Sequence, residues 1–286
     1  MGARLNKLNV RQILSEWGLA PNRQLGQNFL IQPQVAEQIV AVSGVESDDT
    51  VVELGVGLGA LTLPLAARVN QVIGLEIDAG IIRYHRESHD LPPNVELRHQ
   101  DLLLADFSAL ARQQGKRLKI IANLPYAITN PLLFKLVEQR QAIKQAVLMV
   151  QKEVAWRLSA KPNTKEYGVL SVLLGTCAQV IKRLEVDPDN FYPKPQVDSY
   201  VISITFTAGP NPEEFTRLRR VVNAAFNQRR KTLLNSLRAG AGLNLDRAAV
   251  EAGLAAANIN PRLRAENLSP EDFLRLTRSI AELPAA

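Results

Sequence analysis

The segment Val51-Val-Glu-Leu-Gly-Val-Gly-Leu-Gly-Ala60 constrains the fold of this 286-residue chain more than any other. It is a β-branched apolar run that meets a glycine-rich turn and then a helical pattern. Glycines are needed there because the backbone turns tightly and a ligand must approach it closely. The same alternation continues on both sides. Runs at Thr50–Leu54, Gln71–Glu76, Asn94–Leu97, Leu118–Ala122 and Gln145–Val150 are apolar enough for strands buried on both faces. Helical patterns follow at Ala60–Arg68, Asp78–Glu87, Asn130–Glu138 and Lys152–Ser159. This spacing predicts βαβ units and a doubly wound, mostly parallel α/β sheet. Two further runs, Cys177–Val186 and Tyr200–Thr207, are joined only by the Pro-rich link Asp187–Asp198, so an antiparallel strand is expected near the sheet's end. Two prolines and a glycine in Thr207–Pro212 then break the pattern. Beyond them, helical periodicity appears at Glu213–Asn227, Lys231–Arg238, Asp246–Ala257 and Pro270–Glu282, the last with Ser269 as N-cap and Pro270 at N1. The expected division is an α/β domain over 1–208, with a basic N-terminal arm, and a small α-helical domain over 209–286.

A composition of 46% hydrophobic and 22% charged residues excludes a disordered or collagen-like chain. The single cysteine, Cys177, cannot close an intramolecular disulfide. The longest uncharged stretch, near Val169–Ile181, is too short to span a bilayer. The first residues carry neither an apolar signal core nor a myristoylation pattern. A soluble, intracellular, cytoplasmic protein with no membrane partner is expected. The net charge of +6 is unevenly spread. Arg217, Arg219, Arg220, Arg229, Arg230, Lys231 and Arg238 lie between Phe215 and Leu245 with no acid among them. The N-terminal arm adds Arg4, Lys7, Arg11 and Arg23 against Glu16 alone. Such runs are either a solvated helix face or a surface that tracks phosphates.

The glycine turn, read as Gly55-x-Gly57-x-x-Ala60, also fits a dinucleotide fingerprint. Glu53, two residues before Gly55, argues otherwise, because a carboxylate aimed at a pyrophosphate is repelled. It suits a cofactor with a cationic, methionine-like head. Glu76, ending the second strand, is a natural acceptor for two ribose hydroxyls. Asp101, after the third, is placed to accept from an adenine amino group. All three fall at the carboxyl ends of parallel strands, where open α/β sheets bind ligands. Together they point to S-adenosyl-L-methionine, although each alone also reads as a strand-end cap or a turn.

The fourth strand ends in Asn123-Leu-Pro-Tyr126. An exocyclic amine of a nucleobase is a poor nucleophile, since its lone pair is delocalised into the ring. Acceptors on its protons, here the Asn123 side-chain oxygen and the Leu124 carbonyl, draw the nitrogen toward tetrahedral geometry. Pro125 fixes the backbone and offers no competing donor. Tyr126 supplies a stacking face, worth about 1–3 kcal/mol per base at comparable sites. The stiff loop Phe191-Tyr-Pro-Lys-Pro-Gln-Val-Asp198 carries two aromatics, one of which could close on the base's other face. Either segment alone also reads as an ordinary turn or loop with a core aromatic.

Taken together, Gln24-Leu-Gly-Gln-Asn-Phe-Leu30, Glu53-x-Gly55-x-Gly57-x-Gly59, Asn123-Leu-Pro-Tyr126, Phe191-Tyr-Pro-Lys-Pro-Gln-Val-Asp-Ser199 and Phe226-Asn-Gln-Arg-Arg-Lys-Thr-Leu233 resemble the small-subunit ribosomal RNA adenine N6,N6-dimethyltransferases, the KsgA/RsmA family. The segment Arg157–Gly168 is similar too. The resemblance implies a Rossmann-like class I methyltransferase domain with a helical appendage, acting as a monomer on small-subunit rRNA within a ribosomal subunit or its precursor. Four methyl groups would pass from S-adenosyl-L-methionine to N6 of two adjacent adenosines in a hairpin loop near the 3′ end. By resemblance, Asn28 and Leu30 fall against the cofactor, Gly55 lies beneath its methionine part, and Gly57 belongs to the same turn. Asn123 faces both cofactor and amine, Tyr126 and Phe191 sandwich the adenine, and Arg229, Arg230 and Lys231 face RNA phosphates, with Arg217 and Arg220 nearby. Val56 stands where the family has proline, and His99-Gln100 precede Asp101 where a glycine is common.

Three rivals remain at this level: a large-subunit rRNA adenine methyltransferase, an assembly factor that binds RNA without turnover, and an NAD-dependent oxidoreductase. The last leaves Glu53 unexplained. No metal is expected, because His85, His89 and His99 are the only histidines and the first two read as a hydrated helix face.

Overall fold

The computed structural model describes residues 7–21, 26–240, 243 and 245–281. Arg4, Arg23, Gln24 and Leu25 of the basic arm lie outside the described residues. The strands are β1 (Phe29–Leu30), β2 (Thr50–Leu54), β3 (Gln71–Glu76), β4 (Val95–His99), β5 (Leu118–Asn123), β6 (Ile143–Gln151), β7 (Ala178–Val186), β8 (Phe191–Tyr192) and β9 (Ser199–Phe206). The helices are α1 (Lys7–Glu16), α2 (Pro33–Val42), α3 (Thr62–Ala66), α4 (Ala79–Ser88), α5 (Phe107–Gln114), α6 (Thr129–Glu138), α7 (Lys152–Leu158), α8 (Val169–Gly175), α9 (Pro212–Phe226), α10 (Leu233–Ala239), α11 (Arg247–Ala256) and α12 (Pro270–Ala281). No helix among the described residues is long and apolar enough to cross a membrane.

Seven strands form one sheet in the order β4-β3-β2-β5-β6-β9-β7. Neighbours from β4 to β6 run parallel, and β9 is antiparallel to β6. This is the mostly parallel, doubly wound sheet expected of a class I methyltransferase. All five residues of β2 are buried, as befits an interior strand covered on both faces. Local chemistry fixes where the helices begin. Asp78 accepts hydrogen bonds from the Gly80 and Ile81 amides at the start of α4, and Asp106 accepts from Ala109 at the start of α5. On one side of the sheet Ile39 and Val40 of α2 and Leu65 of α3 pack against Val51, Val72, Ile121 and Val147. A second cluster joins Val10 and Leu14 of α1 to Phe29, Leu58, Ile81 and Tyr84. Strands β1 and β8 pair outside the main sheet as a short antiparallel ribbon, Phe29 opposite Tyr192 and Leu30 opposite Phe191.

The chain divides into two compact units. Among the described residues, those up to 155 join 181–206 in the first, and 156–180 join those from 207 onward in the second. The second crossing lies close to the expected boundary at 208, but 156–180, placed by sequence with the sheet domain, packs with the C-terminal helices. The reason lies in the side chains. The Tyr167 ring, 1% exposed, meets Phe226 at 6.1 Å between centroids, and Phe226 stacks on Phe273 at 6.0 Å. The Tyr167 hydroxyl donates to the Leu268 carbonyl at 2.9 Å. Within the same unit, the Ser269 hydroxyl accepts from the Asp272 amide at 3.1 Å while Asp272 accepts from the Ser269 amide at 2.8 Å. This reciprocal cap starts α12.

Gly74 of β3 faces Val56 of the glycine turn so closely that a Cβ there would lie 2.5 Å from Val56 Cγ2. Gly74→Ala is expected to cost about 1–3 kcal/mol by overpacking. The double variant Val56→Ala/Gly74→Ala should be less destabilised than the sum of the single changes in a denaturant double-mutant cycle. Strict additivity would remove this contact as the reason for glycine.

Candidate active site

The strand order reverses between β2 and β5, the switch point at which an open α/β sheet leaves a crevice beyond its carboxyl ends. A cleft opens there. It is lined by Gln27–Leu30, Glu53, the turn 55–58, Glu76, Asp101 and 123–126. Sequence-predicted residues from four strand ends, Glu53, Glu76, Asp101 and Asn123, therefore share one cavity with Asn28, Leu30, Gly55, Gly57, Leu124 and Tyr126.

The turn holds Gly55, Gly57 and Gly59 at φ of 81°, 54° and 81°, a left-handed backbone that other residues adopt only with strain. Glu76 fixes it from the next strand. Its Oε2 accepts from the Gly57 amide at 2.9 Å, and its Oε1 accepts from the Ile77 and Asp78 amides at 2.9 Å each. Burial pushes the Glu76 carboxyl up, and the amide bonds from Asp78 and Gly57 hold it back. Two carboxylate oxygens accept about four hydrogen bonds between them, so Oε2 keeps capacity for a ligand hydroxyl. Asp101 Oδ1 accepts from the Leu103 amide at 2.8 Å, which orients the carboxylate at the cleft wall.

Glu53 is solved differently. It is 1% exposed, and its Oε2 is buried without a hydrogen-bond partner. Burial raises its carboxyl from 4.5 to about 8; the nearby Thr62 hydroxyl, outside hydrogen-bond geometry, offsets part of the rise, and the Glu76 charge adds to it. A buried carboxyl that lines a cleft and leaves an oxygen without a partner can be satisfied by a polar group of a ligand.

At the end of β5, Asn123 Nδ2 donates to the Asn28 carbonyl at 3.1 Å and leaves Oδ1 as an acceptor. The same bond draws residues 26–30 to the cleft, where Gln27 Nε2 also donates to Asp78 at 3.2 Å. Gly26 packs on the Tyr126–Ala127 backbone, where a Cβ would lie 3.1 Å from the Ala127 amide. The Tyr126 hydroxyl is paired with Ser199 Oγ at 2.8 Å, which fixes the ring's direction. Burial raises its phenol, opposed by the Ser199 bond.

Other expected residues lie elsewhere. Phe191 is 2% exposed and packs in the core with Leu30, Ile39 and Val201; it is not part of the cleft lining. Pairing with β1 turns its ring inward. The Arg-Arg-Lys run sits in the turn between α9 and α10 rather than on a helix. Arg229 donates to the Lys165 and Tyr167 carbonyls at 2.9 and 3.0 Å, with Glu266 3.7 Å away. Arg217 pairs with Glu213 at 2.6 Å, whereas Arg220, Arg230 and Lys231 are exposed. His89 is exposed as expected, but His85 is 3% exposed and points inward, correcting the hydrated-face reading. A lone histidine on an amphipathic helix gave no signal for this, because its partners, Asp90 and the Gly57 carbonyl, become neighbours only on folding.

A family model described as ribosomal RNA adenine dimethylase matches residues 18–282. Ribosomal RNA small subunit methyltransferase A of Desulfotalea psychrophila is 48% identical over 277 residues, 94% of each chain. The protein of the same description from Syntrophus aciditrophicus is 40% identical over 275 residues, 95% of this chain and 98% of its own. Of solved structures, a dimethyladenosine transferase from Plasmodium falciparum matches with a TM-score of 0.69 at 26% identity, covering 86% of this chain and 94% of that one. The 23S rRNA methyltransferase ErmE matches at 0.64 and 26%, covering 89% and 100%.

Glu53 supplies a prediction for how stability depends on pH when no ligand is added. The folded state holds its proton up to about 8 and an unfolded chain only to about 4.5, so wild-type stability falls as pH rises between those values. Glu53→Gln should remove its own share of that decline, Glu76 keeping a smaller one, and leave the ligand-free protein more stable than wild type near pH 8 by urea titration. Parallel profiles for the two proteins would show that Glu53 is charged in the fold.

Proposed function

The chain belongs to the ribosomal RNA adenine dimethylase family, and from that membership and the cleft we propose an S-adenosyl-L-methionine-dependent enzyme that dimethylates N6 of two adjacent adenosines in the 3′-terminal hairpin loop of small-subunit (16S) rRNA. It acts as a monomer, in the cytoplasm, on a ribosomal subunit or its precursor. The observation that carries the reading is the meeting of an unpaired buried Glu53 with Asn123-Leu124-Pro125-Tyr126 in one cleft. The family and the class I fold imply the cofactor, and the orphaned Glu53 oxygen fits its ammonium group. When bound, it supplies a methyl group on a cationic sulfonium.

Glu53 would accept from the methionine ammonium, Glu76 from a ribose hydroxyl and Asp101 from the adenine amino group, with Gly55 and Gly57 giving the close backbone approach. Asn28 and Leu30 close the site from the arm. On the substrate side, Asn123 Oδ1 and the Leu124 carbonyl take hydrogen bonds from the target amine, localising its lone pair for attack on the methyl carbon. The amine proton becomes acidic as nitrogen gains positive charge, so no strong general base is needed. Tyr126, its ring set by Ser199, stacks on the base. Of the two aromatics expected to sandwich it, only Tyr126 lines the cleft. In the second unit, the exposed Arg220, Arg230 and Lys231 face RNA phosphates, while Arg229 holds its own turn to the Lys165 and Tyr167 carbonyls.

The direct test is methyl transfer from labelled S-adenosyl-L-methionine to small subunits lacking the modification, followed by nucleoside separation. Dimethyladenosine at four methyls per particle is expected. Transfer only to large subunits, or cofactor binding without transfer, would replace this reading by one of its rivals. Asn123→Ala should lower kcat about 100-fold or more while changing the cofactor Kd less than about tenfold, by analogy with lost oriented hydrogen bonds elsewhere; equal losses would assign Asn123 to the cofactor alone. Arg230→Ala/Lys231→Ala should weaken RNA binding and reduce the salt slope by about 1.4–1.8. Arg229→Ala should instead lower the melting temperature, because it leaves two carbonyls without their charged donor.

A further inference from the structure

His85 makes two short contacts, and both reach acceptors. Its Nδ1 lies 2.8 Å from Asp90 Oδ1, and its Nε2 lies 2.7 Å from the Gly57 carbonyl oxygen. A neutral imidazole has one N–H, so it can donate to only one of them. Nor can Asp90 supply the missing proton. Burial pushes its carboxyl up, but hydrogen bonds from His85, Ser88 and Tyr84 bring it below the ordinary carboxylate range. The arrangement is complete only with a doubly protonated ring, an imidazolium paired with a carboxylate. The titratable groups that face it are Asp90, with the Tyr84 hydroxyl bonded to that carboxylate, and Glu76 on the far side of Gly57. The Tyr84 ring also lies against it, 4.8 Å between centroids.

Gly57 is thereby held from both sides. Its amide donates to Glu76 Oε2 at 2.9 Å, and its carbonyl accepts from His85. We propose that His85, as an imidazolium anchored on Asp90, is a positioning residue of the cofactor site, acting through the Gly57 carbonyl to hold the glycine turn in its ligand-accepting conformation. The inference rests on the functional reading above and adds to it a pH dependence seated outside the residues that touch the ligand. The sign follows from the proton count. The charged ring satisfies both acceptors, so the clamp is complete at low pH. Deprotonation leaves two acceptors facing one donor, so the neutral ring holds the turn less well and cofactor affinity is lower at high pH than at low pH.

The test uses the full chain and measures the Kd of S-adenosyl-L-homocysteine by calorimetry from pH 6 to 9, for the wild type, His85→Gln and His85→Leu. Glutamine keeps one N–H donor and cannot be charged. The ratio of the His85→Gln Kd to the wild-type Kd cancels any Glu53 titration, which both proteins share. It should be about tenfold at pH 6, one charge-assisted hydrogen bond, and approach one by pH 9. His85→Leu should bind more weakly than His85→Gln at low pH. With saturating cofactor both variants should keep kcat within about twofold of wild type, with the loss confined to KM. A ratio independent of pH, or a loss in kcat with unchanged Kd, overturns the role of His85. If His85→Leu does not fold, the His85→Gln ratio decides alone. Failure of the wild type itself to bind S-adenosyl-L-homocysteine sinks the functional reading and this role with it, which separates the two failures.

Discussion

Glu76 accepts three backbone amides, two from the chain that follows it and one, at 2.9 Å, from Gly57 of the neighbouring strand's turn. The rest of the cleft depends on that last bond. A carboxylate at the end of a buried parallel strand has lost most of its water and must find donors within the fold. The amide of a residue at positive φ is one of the few groups that can turn toward it. The turn is therefore both shaped by Glu76 and the means by which Glu76 is tolerated. Glu53, one strand over and as deeply buried, has no such donor on its Oε2. Two adjacent acids therefore line the cavity, one satisfied by the fold and one with an oxygen that the fold leaves without a partner.

The opposite wall is tied by weaker and more numerous bonds. Asn123 binds the Asn28 carbonyl, Gln27 binds Asp78, and Gly26 lies on the backbone that carries Tyr126. Residues 26–28 and the wall of the cleft that carries Asn123 and Tyr126 are thus tied together. Displacement of residues 26–30 would release the Asn123 amide, and with it the orientation of its Oδ1. The His85–Asp90 pair meets the same turn at the Gly57 carbonyl, and neither residue lines the cleft.

The second unit follows a different rule. Tyr167, Phe226 and Phe273 stand in ring-to-ring succession beside buried aliphatic core residues such as Leu218, Val222 and Leu254, and the unit recruits 156–180 from the middle of the chain. Arg229 belongs to that core's edge, since its guanidinium closes on the Lys165 and Tyr167 carbonyls. All three members of this basic run are exposed, and Arg229 turns its guanidinium back onto two backbone carbonyls.

Much of this was legible in the sequence. Strands β2 and β3 have the limits that their apolar runs predict, and the residues ending β2, β3 and β5 proved to share one cavity. Period and strand-end chemistry are local, so the sequence carries them whole. Helix α8 escaped notice because Leu170–Leu174 are all buried and show no amphipathic period, and the β1–β8 ribbon because two-residue strands have none either. Only the tertiary structure could decide which way a side chain faces when its partners are distant in sequence. That decision turned Phe191 into the core, set His85 against Gly57 28 positions away, and tied Arg229 to carbonyls more than 60 positions away. Each of these is a contact between groups that no periodicity brings together, made when the chain closes on itself and buries polar atoms that must then be satisfied by whatever the fold has placed beside them.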